Sequence, residues 1–211
     1  MGLELEISLE SDIKNLDLFF DKLRFKAVTL AARQGLNRAA SRTQSEAMRQ
    51  IRKERNIKLQ ELKGSKKKGL PPRVRMSKAT GMNLATMEAS VSFSNAPLPL
   101  ILFLVGKKEP IKQTRPNPKR KPRRFEIKKG VKEPKRGLFV QKAKRGTSRY
   151  QVFQRRDPKQ VQEGFVKQSA PSVAEFLRQK TAMLNKIEKK SMTLLQVEFG
   201  RALENQLNKL K

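Results

Sequence analysis

FDKLRFKAVTLAARQGLNRAASRTQSEAMRQ, residues 20–50, is the stretch on which the fold turns. Phe20, Leu23, Ala27, Leu30 and Ala31 recur at spacings of three and four, which marks one face of a helix. Val28, Ala32, Leu36, Ala39, Thr43 and Ala47 form a second stripe, rotated by more than a quarter turn about the same axis. Ser11 or Asp12 can cap this helix, which reads as residues 13–55. One straight helix of that length has two adhesive faces. Either it bends at Gly35, or one stripe packs on its own domain and the alanine-rich one on a neighbour. The second alternative places Val28, Ala32, Leu36, Ala39 and Thr43 in a subunit interface.

Shorter elements flank the helix. LELEISLE, residues 3–10, alternates strictly and reads as a half-buried strand with Glu4, Glu6, Ser8 and Glu10 outward. That acidic face either protects an edge strand from wrong pairing or meets a basic patch on an adjacent subunit. A short helix over 57–63 ends at Gly64, and a basic loop with Gly-Leu-Pro-Pro follows. RVRMSKA (73–79) and LATMEASVSF (84–93) read as strands. In NAPLPLILFLVG (95–106) a turn precedes an apolar run, either a short buried helix or a docking plug. A strand is plausible from RRFEIKKGVK (123–132). GLFVQKAKRGTSRYQVFQRR (137–156) reads as a hairpin turning near KRGTS, with Phe139, Val152 and Phe153 in its core, and VQEGFVKQ (161–168) as a further strand.

The last element spans 171–211. Ser172 and Glu175 make a capping box, and Leu177, Leu184, Ile187, Leu194, Leu195, Phe199, Leu203, Leu207 and Leu210 continue at helical spacing. A break is expected near Ser191 or Gly200. This helix is longer than a small sheet can cover, so its surplus either packs on other subunits, through Leu195, Phe199, Leu203 and Leu207, or lies free. The fold class is α+β: a small antiparallel sheet packed on a long N-terminal helix, with a long C-terminal helix and a basic extended arm. All of it reads as a single domain, 1–211.

Composition narrows the function. The 211 residues include 49 Lys and Arg against 19 Asp and Glu, a net charge of +30, with 36% hydrophobic residues. Such an excess favours a polyanionic partner. Without His or Cys the chain lacks the commonest general base, thiolate metal ligands and disulfides. It carries no phosphate-binding loop, dinucleotide fingerprint or zinc-protease motif. The expectation is no enzyme, no cofactor and no metal; strand alternation accounts for the acidic group Glu4, Glu6, Glu10 and Asp12. No apolar run approaches the ~20 residues a membrane helix needs. The acidic start is unlike a signal peptide, so folding in a cytosol is expected.

Residues 107–136 hold fourteen Lys or Arg, five Pro and three acids. The first part, 107–124, reads as an extended basic arm. Lys119, Arg120, Lys121, Arg123 and Arg124, with Lys128 and Lys129 just beyond, are the residues expected on DNA phosphate or an acidic protein. With one Tyr and no Trp, stacking platforms for bases look scarce. RGLFVQK matches only a fragment of the RNA-recognition signature. Contact with the nucleic-acid backbone is therefore expected, and sequence-specific reading is not.

The order of these parts resembles a known family. Leu36, Asn37 and Arg38 in the long helix come first, then Pro97 to Leu100 with Phe103. Gly137, Phe139, Val152, Phe153 and Arg155 follow in the hairpin, then Pro171 to Val173. This sequence of words resembles the prophage minor tail protein Z family, among the tail-completion and head–tail joining proteins of long-tailed bacteriophages. The likeness covers about residues 30–180. The basic, proline-rich arm and the segment DPKQVQEGFV depart from the family pattern. The resemblance implies a structural virion protein in a ring, a homohexamer, at the head-proximal end of the tail. Its partners would be copies of itself, the tail terminator, tail tube and connector proteins, and DNA in the channel, with no membrane. It would reside in the virion neck after assembly in the host cytoplasm. The alternative is a ribosome- or nucleoid-associated module that binds nucleic acid without sequence preference.

Overall fold

The computed structural model describes residues 3–8, 25–65, 70–81, 83–106, 122–135, 137–142, 150–155 and 165–209. Along the chain run β1 (Leu3–Ser8), α1 (Phe25–Glu54), α2 (Leu59–Lys63), β2 (Val74–Ser77), β3 (Glu88–Phe93), β4 (Leu98–Pro99), β5 (Arg123–Phe125), β6 (Glu133–Lys135), β7 (Leu138–Lys142), β8 (Tyr150–Arg155), β9 (Phe165–Lys167), β10 (Ser169–Ala170), α3 (Val173–Gln179) and α4 (Thr181–Asn208). The class is α+β, as expected. The chain divides into two compact units. One is drawn from Met1–Gln50, Gln60–Asn95 and Val173–Lys211, the other from Ile51–Leu59 and Ala96–Ser172.

In the first unit both stripes of α1 are sequestered. Ala27 and Ala31 are buried, and so are Val28, Ala32, Leu36, Ala39, Thr43 and Ala47. Phe20 and Leu23 lie outside the described residues, as does the expected helix start at 13–24. The interface assignment of Val28, Ala32, Leu36, Ala39 and Thr43 is thus corrected: the chain itself covers them. A helix apolar on two faces is a core helix once partners flank it on both sides, and here β2 and α4 both do so. Leu195 is likewise buried within the chain, while Phe199, Leu203 and Leu207 are half-buried.

The helix does not break at Gly35. The glycine is there for space: a Cβ on it would lie 2.9 Å from the Phe199 Cα and 3.1 Å from its backbone N, so α4 crosses α1 almost backbone to backbone. Nor does α4 break at Ser191 or Gly200. The interruption falls at Lys180 (φ −121°, ψ 59°), between α3 and α4. Ser191 stays helical while its hydroxyl donates to the Glu188 carbonyl at 2.7 Å, a local bond that a helix tolerates.

The sheet of this unit has the order β1-β3-β2, all antiparallel, with Leu5 and Met76 on either side of Val91. Ala89, Ser90, Val91 and Phe93 of the central strand are buried. The preceding residues 84–86, expected as part of this strand, form a 3₁₀ turn in which the Asn83 side chain accepts from the Ala85 N–H at 3.0 Å. β1 is an edge strand; the side chains of Glu4 and Glu6, and residues Glu10 and Asp12, lie outside the described residues. On the β2 side two amides of α1 meet the backbone of the β2 segment. Asn37 Nδ2 donates to the Ala79 carbonyl (3.2 Å), and Asn37 Oδ1 accepts from the Ala79 N–H (2.8 Å). Two turns further along the same face, Gln44 Nε2 donates to the Val74 carbonyl at 3.1 Å. These bonds occupy backbone groups that would otherwise offer a pairing edge.

In the second unit the apolar run resolves into β4, paired with β10, and a 3₁₀ turn over Leu100–Phe103 that buries Leu100, Ile101 and Phe103. It is the buried helix of the two alternatives. Beyond it the chain pairs with β5: Val105 N–H donates to the Arg124 carbonyl (3.0 Å) and Glu126 N–H to that of Phe103 (2.8 Å). Phe125, Val140 and Val152 complete this core. In the sheet β7-β8-β9, Phe139 pairs with Phe153 and Val140 with Val152. Strand alternation therefore puts the valines on one face and the phenylalanines on the other. Val152 is core as expected. Phe139 and Phe153 are only half-buried, so their assignment to the core is corrected.

Two glycines and a threonine test this packing. Gly35→Ala gains helix propensity of about 1 kcal/mol but forces two backbones apart, and should lower stability by roughly 1–3 kcal/mol net. Gly200→Ala has nothing within 4 Å of the new Cβ and should raise stability by about 0.5–1 kcal/mol. The Thr43 hydroxyl is buried with no hydrogen-bond partner; Thr43→Val should stabilise by about 1 kcal/mol. Chemical denaturation of the three variants beside the parent chain measures all three signs.

Candidate polyanion-binding surface

Helices α1 and α4 run antiparallel in the first unit, since Gln34 meets Gln206, Arg42 meets Glu198 and Glu46 meets Lys190. Their close approach at Gly35 leaves a narrow seam. Short side chains fill its floor, and long charged ones rise at its rim.

The charges are sorted by depth. The Glu198 side chain is 2% exposed and ion-paired to Arg42 and, at 3.2 Å, to Arg201, whose side chains are 51% and 57% exposed. Glu46 is 12% exposed and takes Arg49 at 2.9 Å and Lys190 at 3.3 Å, with Gln50 Nε2 donating at 2.6 Å. Carboxylates thus sit inside the seam and cations outside. Burial alone would raise the Glu46 pKa. Hydrogen bonds from Arg49, Gln50 and Lys190, with the Lys190 charge, outweigh it and bring the carboxyl from 4.5 down to about 2.

Two shallow depressions follow the seam. Arg38, Ser41, Arg42, Glu198 and Arg201 line a cleft of about 340 Å³. Lys186, Lys189, Lys190, Asn185 and Thr193 line one of about 460 Å³ on α4. Each guanidinium has five N–H donors in a planar fork, more than one carboxylate uses, so donor capacity remains for phosphate oxygens. Arg38 and Arg42 are one turn apart, and Arg49 lies two turns beyond Arg42. In sequence this reads as an ordinary polar helix face, so the surface was missed there; its meaning depends on α4 crossing at Gly35.

The expected contact residues belong to the second unit. Lys119, Arg120 and Lys121 lie outside the described residues. Arg123 and Arg124 do not extend an arm: they form β5, with Arg123 opposite Lys135 and Arg124 opposite Pro134 of β6. Lys128 and Lys129 are exposed at the turn of this hairpin. The turn is held in place: Gly130 (φ +82°) donates its N–H to Glu126 Oε1 at 2.9 Å, and Lys129 N–H donates to the Glu54 carbonyl at 2.9 Å. Arg124, Lys128, Lys129 and Lys132 are exposed on this short frame.

The words behind the family resemblance fall on structural positions. Leu36 is core, Asn37 clamps Ala79 and Arg38 lines the seam cleft. Leu98, Leu100 and Phe103 are core of the second unit, and Ser172 and Val173 are buried at the start of α3. Among the described residues no group of three His, Cys, Asp or Glu could hold a metal ion, and no helix is long and apolar enough to cross a membrane. Comparison with protein-family models, curated proteins and solved structures finds no match to this chain.

The Glu46 network sets a pH dependence. The folded carboxyl titrates near 2 and an unpaired one near 4.5. Its stabilisation is therefore complete above about pH 4.5 and is lost as the pH falls towards 2. Glu46→Gln should cost about 1–2 kcal/mol at neutral pH. The difference from the parent chain should close between pH 4.5 and 2; thermal melts across that range check both statements.

Proposed function

We propose that this protein is a structural component of a tailed-phage virion, without a catalytic role. It forms a ring at the head-proximal end of the tail, completes the tail and joins it to the head connector. The observation that carries the polyanion-facing part is the charge sorting of the α1–α4 seam, where buried carboxylates hold arginines and lysines outward on two rigid helices. The exposed cations of the β5–β6 hairpin supply a second such surface. The neck location rests on the resemblance of the ordered words to the tail protein Z family. DNA in the channel would be the polyanion, and the tail terminator, tube and connector proteins the neighbours.

The same basic surfaces also suit a module that binds nucleic acid without sequence preference, independent of any virion. Electron microscopy of lysates from a phage deleted for this gene separates the readings. Filled heads beside unattached tails are the expected result. Joined, normal particles would overturn the neck role and leave the binding module.

Contact with DNA backbone has its own test. Arg38, Lys186 and Lys189 are exposed, so neutralising them by Gln leaves the core untouched. If phosphates sit on the seam, each substitution should weaken duplex binding and reduce the slope of log affinity against log salt by about one. Unchanged slopes would remove the seam from the DNA path.

A further inference from the structure

One face of the β7-β8-β9 sheet is sealed, with Val140 4% and Val152 1% exposed. The opposite face carries Phe139, Phe153 and, from the edge strand, Phe165. Phe139 and Phe153 stack with ring centroids 6.1 Å apart and planes at 27°. Phe165 meets Phe139 edge to face, at 4.8 Å and 74°. Phe139 and Phe153 are half-buried, and Phe165 is 48% exposed. Gln141, Gln151 and the exposed Lys167 complete the face.

Scattered exposed apolar residues are common; here three aromatic rings in contact form one contiguous, partly exposed patch on a sheet face. We propose that this face binds single-stranded nucleic acid, with unpaired bases stacking on Phe165 and the Phe139–Phe153 pair. Two features select that occupant. The net charge of +30 attracts a polyanion. Phenylalanine offers a π face but no hydrogen-bonding group, so the face takes any base that is out of its duplex. Gln141 and Gln151 supply neutral donors and acceptors beside the rings, and Lys167 a cation for phosphate. Duplex DNA hides its base faces and would not engage the rings. This inference stands whether or not the chain joins heads to tails.

The test uses the full chain and short fluorescein-labelled oligothymidylate, read by anisotropy at fixed salt, with duplex DNA as control. Phe165→Ala removes a largely exposed ring and should weaken oligothymidylate binding about tenfold while leaving duplex binding unchanged. Phe165→Trp should keep the affinity. Because the chain has no other Trp, its fluorescence should also be quenched as oligothymidylate is added. Unchanged affinity in Phe165→Ala, or an equal loss towards duplex and single strand, would overturn the proposal. Self-association that depends on Phe165, seen by sedimentation without any effect on oligonucleotide binding, would reassign the face to contacts between copies.

Discussion

The first unit depends on the backbone contact between Gly35 and Phe199. Packed helices ordinarily keep their axes 8–10 Å apart, with side chains between them. A glycine at the crossing removes the spacer, and the two chains approach until a Cβ would meet backbone atoms at 2.9 Å. The rest of the seam follows from that separation. Arg42 can reach Glu198, Lys190 can reach Glu46, and Gln206 can reach Gln34 only because α4 lies this close along its length. Ala31, Ala32, Ala39 and Ala202, all fully buried or nearly so, are short side chains on either side of the crossing.

Electrostatics then explains what the seam does with its acids. A chain at +30 has an internal repulsion that works against compactness. Burying a carboxylate normally costs several kcal/mol of lost hydration. Glu198 and Glu46 offset that cost by each holding two cations, and each also lowers the repulsion between neighbouring basic side chains. The outward arginines and lysines stay in water, where their own pairing is worth little. In the seam, acids therefore serve as internal counter-charges, and Arg42, Arg49, Lys190 and Arg201 stand at its rim.

Much of the fold was legible in the sequence because it rests on local periodicity. The two stripes of α1, the alternation in β3, the hairpin of β7 and β8 and the final helix each carry their pattern in consecutive residues. What was not legible depends on which surfaces meet. Val28 to Thr43 read as an interface stripe because nothing in the stripe says that the rest of the same chain covers it. A bend at Gly35 was the other alternative for the same reason, since glycine weakens a helix and also permits a crossing. Phe139 and Phe153 read as core because alternation gives two faces without naming the buried one. Val140 and Val152 decide it, by packing in the core that Phe103 and Phe125 complete.

The candidate site was legible in charge and not in place. Composition pointed to a polyanion, and the densest basic run drew attention to 107–129. Within that run Arg123 and Arg124 belong to a hairpin strand, and the deeper charge sorting lies in helices that looked ordinary. A density count weighs all cations alike, whereas binding depends on how many can face one ligand at once without first being ordered. Side chains on a helix pair fixed by a backbone crossing have their spacing set before the ligand arrives, and lose less entropy in meeting it than those of an extended arm would. By that argument the seam, with its cations spaced by two packed helices, is a pre-organised candidate surface for an anion among the described residues.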